Sequence, residues 1–124
     1  MDRRNALILL GHGSRARETF EEMSALADSL GRAHPGTAVG MAFLGLQEPD
    51  LPAAVAAAAA AGAPEIRILP LFLFTGKHLI EDIPRLVERA RADHPGTRIL
   101  LLEAAGRQPG FAAFVAHAAG LASD

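Results

Sequence analysis

Short unbroken apolar runs alternate along the chain with stretches in which apolar residues return every three or four positions. Ala6 to Leu10 is the first run, closed by Gly11, the pattern of a strand buried on both faces. Beyond the loop Gly11 to Ser14, the residues Phe20, Met23, Leu26, Ala27 and Leu30 recur between charged positions. That spacing predicts an amphipathic helix ending near His34, where Pro35-Gly36 stops it. Val39 to Leu44 predicts a second strand. Asp50 and Pro52 supply a cap and a first-turn residue for a second helix over Ala53 to Ala61, closed by Gly62 and Pro64. Ile66 to Leu71 is a third buried strand, followed by a loop from Phe72 to His78. Ile83, Leu86, Val87 and Ala90 mark a third helix, in which Pro84 is tolerated only in the first turn. Arg98 to Glu103 reads as the fourth strand. A last helix from about Pro109 puts Phe111, Phe114, Val115, Ala118 and Leu121 on one face, with His117 as a surface or packing residue.

Strand and helix alternate four times, which calls for an α/β fold: a doubly wound, four-stranded parallel sheet with helices on both faces. The turn His34-Pro35-Gly36-Thr37 returns as His94-Pro95-Gly96-Thr97, each time between a helix and a strand, so the chain divides into two βαβα halves. Pro-Gly is also simply a good helix stop, and the histidines in these turns read as ordinary helix-terminus residues favoured by the dipole. With 124 residues, half of them hydrophobic, the expectation is a single domain over 1–124.

Charge and cysteine content narrow the chemistry. A formal net charge of −2 lacks the basic excess that a nucleic-acid backbone requires, so nucleic acid is not an expected partner. The absence of cysteine excludes disulfides, thiolate metal sites and thiol nucleophiles, leaving His, carboxylate or backbone oxygen to hold any metal. The opening apolar run is too short for a signal peptide, and no stretch nears the roughly 20 apolar residues of a membrane span. The expectation is a soluble, cytoplasmic chain with no membrane partner.

Each half carries a histidine in the loop leaving its first strand, His12 in one and His78 in the other. In the flavodoxin-like order 2-1-3-4 these loops flank the crevice where the winding reverses, so the two imidazoles face one another across it. Such a pair suits a divalent transition metal or acid/base work near neutral pH. Gly11-His12-Gly13-Ser14 before a helix also suits anion binding by backbone amides, although it lacks the ending of a P-loop and the spacing of a dinucleotide fingerprint. Lys77, the one lysine in the chain, together with Arg15 and Arg17, would steer a polyanion to the crevice. The apolar Leu71 to Phe74 segment beside these charges suits a large apolar ring with peripheral carboxylates.

Leu9-Leu10-Gly11-His12-Gly13-Ser14-Arg15, Ala42-Phe43-Leu44 with Glu48-Pro49 and Leu51-Pro52, Pro70-Leu71-Phe72-Leu73-Phe74, and Gly76-Lys77-His78 with Glu81-Asp82-Ile83-Pro84 follow in order along the chain. In these motifs the sequence resembles the CbiX family of sirohydrochlorin cobaltochelatases, in its short, single-domain form. The resemblance implies insertion of a divalent metal, typically Co(II), into sirohydrochlorin in cobalamin synthesis, without organic cofactor, by a homodimer. It implies that His12 and His78 are catalytic metal ligands, with His12 also accepting protons from the pyrrole nitrogens. Ser14, Arg15, Glu48 and the loop residues Leu73, Phe74, Thr75, Gly76 and Lys77 fall in the family's substrate-binding segments. Two positions depart from the pattern. Gly45 stands where many longer relatives have a glutamate, and Ala105-Gly106-Arg107-Gln108-Pro109 replaces a stretch with histidine before the proline. Two other readings stay open at this point: a non-catalytic metal or tetrapyrrole carrier, and a phosphoryl-transfer enzyme using His12 as nucleophile.

Overall fold

The computed structural model describes residues 3–121, the side chains of residues 78–80 excepted. The elements run β1 (Asn5–Gly11), α1 (Arg17–Ala33), β2 (Thr37–Phe43), α2 (Leu51–Ala60), β3 (Glu65–Pro70), α3 (Lys77–Asp93), β4 (Arg98–Leu101), a short 3-10 turn (Ala105–Arg107) and α4 (Phe111–Ala118). The sheet order is β2-β1-β3-β4 and every pairing is parallel. This is the doubly wound α/β arrangement expected from the pattern. The chain winds outward from β1 to β2 and then, after crossing back, outward the other way from β3 to β4, so the reversal lies between β1 and β3.

Alternation along β1 assigns the two faces. Ala6, Ile8 and Leu10 join Ile66, Ile68 and Ile99 in a core closed by Leu51 and Val55 of α2 and by Ile83, Val87 and Ala90 of α3. Gly11 and Phe43 face α1 on the other side, where Phe43 stacks on Phe20 with ring centroids 6.0 Å apart. A β-carbon on Gly11 would stand 2.6 Å from the sulfur of Met23 on α1, so a side chain there would require that flexible thioether to move. Helix α2 starts as the sequence indicates, with the Asp50 carboxylate accepting from the Ala53 amide at 2.9 Å and Pro52 in the first turn. Its alanines let it lie close against the strands.

The repeated turns are structural copies. His34 adopts φ −131°, ψ 70° and His94 φ −132°, ψ 67°. In each turn the histidine amide closes the preceding helix, His34 to Leu30 at 2.9 Å and His94 to Ala90 at 3.0 Å. Each histidine carbonyl then accepts from the threonine that opens the next strand region, both at 3.0 Å.

Beyond shifts of a residue or two at strand ends, the structure departs from the sequence reading at the start of α3, the end of β4 and the placement of α4. Helix α3 begins at Lys77, capped by Gly76 without a side-chain hydrogen bond, so Lys77 and His78 belong to its first turn and not to the preceding loop. Pro84 consequently lies inside the helix, where it removes one backbone hydrogen bond. Strand β4 ends at Leu101, and Leu102 donates a last bond to Ile68 at 2.9 Å before the chain turns away, leaving Glu103 outside the strand. Helix α4 does not lie on the sheet: it stays by the 3-10 turn, with Phe114 61%, Val115 44% and Leu121 66% exposed. The covering helices are therefore α1 on one face and α2 with α3 on the other.

Candidate active site at the carboxyl ends of the strands

Loops from β1, β2 and β3 leave the same end of the sheet. The Leu71 amide donates to the Leu10 carbonyl at 2.8 Å and the Leu44 amide to the Gly11 carbonyl at 3.1 Å, so both neighbouring chains stay paired with β1 as it ends. His12 follows at once and is exposed. Its ring meets Phe72 edge to face, with centroids 6.1 Å apart and an interplanar angle of 88°. Phe72 is itself 8% exposed and anchored in the core, so the imidazole leans on a fixed wall. The backbone of His78 stands in the first turn of α3, at the end of the loop that carries Phe72. Its side chain lies outside the described atoms.

The β1 and β2 loops interlock. Gly13 has φ +96°, and a β-carbon there would fall 1.7 Å from the Gly45 carbonyl oxygen, so only glycine permits this approach. Ser14 is half-buried, and its hydroxyl accepts from the Ala16 amide at 3.0 Å. Gln47 crosses between the loops, its Oε1 accepting from the Ser14 amide at 3.3 Å and its Nε2 donating to the Ala16 carbonyl at 3.2 Å. Glu48, on the same loop, is exposed, and Arg15 is exposed beside Ser14. At Gly45 a β-carbon would meet nothing within 4 Å, so the missing carboxylate leaves open space.

The β3 loop presents apolar surface. Leu73 is 54% and Phe74 88% exposed, while Thr75 is half-buried and Gly76 and Lys77 are exposed. The stretch is braced from behind: the Gly106 amide donates to the Phe72 carbonyl at 2.9 Å, and a β-carbon on Gly106 would lie 1.8 Å from the Leu73 oxygen. Beside it an open cleft of about 220 Å³ is lined by Pro70, Thr75, Ile83, Leu101 and Arg107 among others. Leu46, 68% exposed, adds a further apolar side chain from the β2 loop. Apolar walls and exposed cations thus share one end of the sheet. Arg17, expected to add free positive charge, is instead paired with Glu21 one helical turn on, at 3.1 Å.

His12, Arg15, Glu48, Phe74 and Lys77 are all exposed, so the described part of the site is open to solvent. No group of three or more His, Asp or Glu side chains converges among the described residues. The described residues therefore form no closed, multidentate cage of the kind that retains a structural metal. Sequence reasoning missed Gln47 and Leu46. An uncharged amide and a lone leucine in a loop carry no pattern, and their placement depends on the backbone of the turn between them.

A family model described as CbiX matches residues 6–120. A sirohydrochlorin ferrochelatase of Bacillus subtilis is 34% identical over 97 residues, covering 77% of this chain and 37% of its own length. A sirohydrochlorin cobaltochelatase of Methanosarcina acetivorans is 31% identical over 83% of this chain and 77% of its own. The crystal structure of a cobalamin (vitamin B12) biosynthesis CbiX protein from Marinobacter aquaeolei superposes with a TM-score of 0.80 at 31% identity, over 94% of both chains. SirB from Bacillus subtilis subspecies spizizenii, solved in complex with cobalt, gives 0.71 at 33% identity over 82% of this chain and 43% of its own. The chain thus spans less than half of these Bacillus relatives. Because the family match runs from the first strand through the last helix, and the Marinobacter fold follows nearly the whole length, the chain belongs to the CbiX family.

Proposed function

We propose that this chain is a sirohydrochlorin chelatase that inserts a divalent first-row metal, cobalt first among the candidates, into the tetrapyrrole. The observation that carries the reading is the placement of His12 on the loop after β1 and of the His78 backbone in the first turn of α3, which follows the hydrogen-bonded neighbour β3, at the point where the winding reverses. Relatives named cobaltochelatase and ferrochelatase, and SirB solved with cobalt and with Fe3+, support the reaction class.

The chemistry follows from the side chains. Metal insertion replaces two pyrrole N–H protons with one divalent ion, so the site must present a metal, accept protons and hold a flat polyanion. His12 and His78 supply neutral nitrogen donors while leaving coordination positions open, so the metal passes to the ring and is not retained. Of the two protons displaced, His12 takes one as the metal leaves its imidazole for the ring, and the other passes to water at the open site. Leu73 and Phe74 give the ring an apolar face, and Arg15 and Lys77 meet its carboxylates, with Ser14, Glu48, Thr75 and Gly76 completing the binding wall. No organic cofactor enters this scheme. A homodimer as the working unit belongs to this proposal.

Anaerobic absorbance of sirohydrochlorin mixed with Co(II) and protein tests the reading. The native chain turns over several equivalents of ring; His12→Ala and His78→Ala each abolish turnover. Glu65→Ala serves as control. Its carboxylate holds Arg67 at 2.9 Å and Arg98 at 3.6 Å at the opposite end of the sheet, so turnover persists in that variant. A bound-ring spectrum without turnover in the native chain would replace the enzyme with a carrier.

A further inference from the structure

The loop that carries His12 is held from outside by one side chain. The Gln47 amide accepts from the Ser14 N–H and donates to the Ala16 carbonyl, partners 33 and 31 residues away in sequence. Ser14 lies two residues past His12, and Ala16 is the cap of α1, which makes no side-chain capping bond of its own. On the near side of His12 the backbone is fixed by the Leu44 bond to Gly11, at 3.1 Å. Gln47 fixes the far side.

The turn that delivers this amide is strained. The Gln47 N–H donates to the Gly45 carbonyl at 2.8 Å across Leu46, whose φ is +65°. This is a γ-turn of the rarer, positive-φ kind, and it places a β-carbon where glycine is favoured. Packing of Leu46 does not account for the strain, because that side chain is 68% exposed. What the turn accomplishes is to aim Gln47, half-buried, across to the neighbouring loop.

We infer that Gln47 is a positioning residue for metal insertion: its amide fixes the backbone beyond His12 and so sets the direction in which the imidazole meets the metal. The inference rests on the proposed role of His12 as a metal ligand. An amide is suited to this because it donates and accepts at once; a carboxylate keeps only the acceptor and sets negative charge against the Ala16 carbonyl. Misplacement of a reacting group by about 1 Å costs on the order of a hundredfold in rate, so a hydrogen-bonded brace one loop away has kinetic weight.

The test uses the full chain with two readouts, the visible spectrum of Co(II) titrated without tetrapyrrole, and steady-state insertion. In Gln47→Met, similar in size but without hydrogen bonds, kcat falls by roughly ten- to a hundredfold while KM for the ring changes by less than about threefold, and the Co(II) spectrum shifts. Gln47→Glu, which keeps the bond from Ser14, recovers part of kcat. Gln47→Ala removes the same amide with less bulk and is expected to lower kcat to the same extent; it serves if the methionine variant fails to fold. Unchanged kcat and Co(II) spectrum in a folded Gln47→Met overturn the inference, as does a change confined to KM. His12→Ala run alongside separates the two claims. If it leaves the Co(II) spectrum intact, the role of His12 fails; if it abolishes the spectrum while Gln47→Met is indifferent, the role of Gln47 alone fails.

Discussion

The carbonyl oxygen of Gly45 occupies the space that a side chain on Gly13 would need, 1.7 Å from the position of its β-carbon. The loops after β1 and β2 are thereby pressed together directly behind His12. Gly13→Ala combines two penalties: a left-handed backbone, which costs an L-residue about 1–2 kcal/mol, and a collision with backbone that has no rotamer to escape into. The expected outcome is a thermal midpoint lowered by several degrees and metal insertion lost even at temperatures where the variant remains folded. Differential scanning calorimetry and the absorbance assay, run on the same preparation, check both parts.

Open space at Gly45 makes the opposite change benign. A β-carbon there meets nothing within 4 Å, and the residue is not held at positive φ. Gly45→Glu restores the carboxylate that many longer relatives carry. Folding is expected to be unchanged or stabilised by about 0.5 kcal/mol through lost freedom in the unfolded chain. Co(II) binding is expected to tighten about tenfold as a hard oxygen donor joins the imidazoles. Titration of Co(II) without tetrapyrrole measures it; equal affinity in both proteins would show that this position points away from the metal.

Phe74 is 88% exposed and makes no contribution to the core. Phe74→Ser therefore leaves stability within about 0.5 kcal/mol of the native chain. If the ring rests on this loop, the variant forfeits about 1–2 kcal/mol of apolar burial on binding, roughly a tenfold rise in the dissociation constant of sirohydrochlorin. Quenching of tetrapyrrole fluorescence by protein gives the affinity. Equal affinity with and without the phenyl group would move the ring to another wall.

Much of this architecture is legible in the sequence because it depends on local pattern. The apolar run ending at Gly11, the Asp50-Pro52 helix start and the repeated His-Pro-Gly-Thr turn each specify their element with short-range physics, and the order of elements then leaves few ways to wind a parallel sheet. The start of α3 was less visible because Gly76 caps it without a side-chain acceptor, so no Ser, Thr, Asp or Asn marks the helix, and Pro84 pulled the expected start toward itself. The position of His12 followed from its place after a strand. Its surroundings did not: Phe72, Gln47 and the turn at Leu46 reach it only through pairings between distant segments, and no periodicity records those. The apolar stripe of α4 was legible as a stripe, but periodicity cannot say what a stripe faces.

The placement of that last helix divides the chain into unequal cooperative units. Amides of β1, bonded on both sides by β2 and β3, become accessible to exchange only when the whole sheet comes apart. Helix α4 touches little beyond the turn at Ala105–Arg107, and its amides exchange through a local opening that leaves every strand pairing intact. The sheet's unfolding free energy is therefore a poor reporter of anything that happens to α4, even though the turn that holds this helix also bonds the Phe72 carbonyl beside His12.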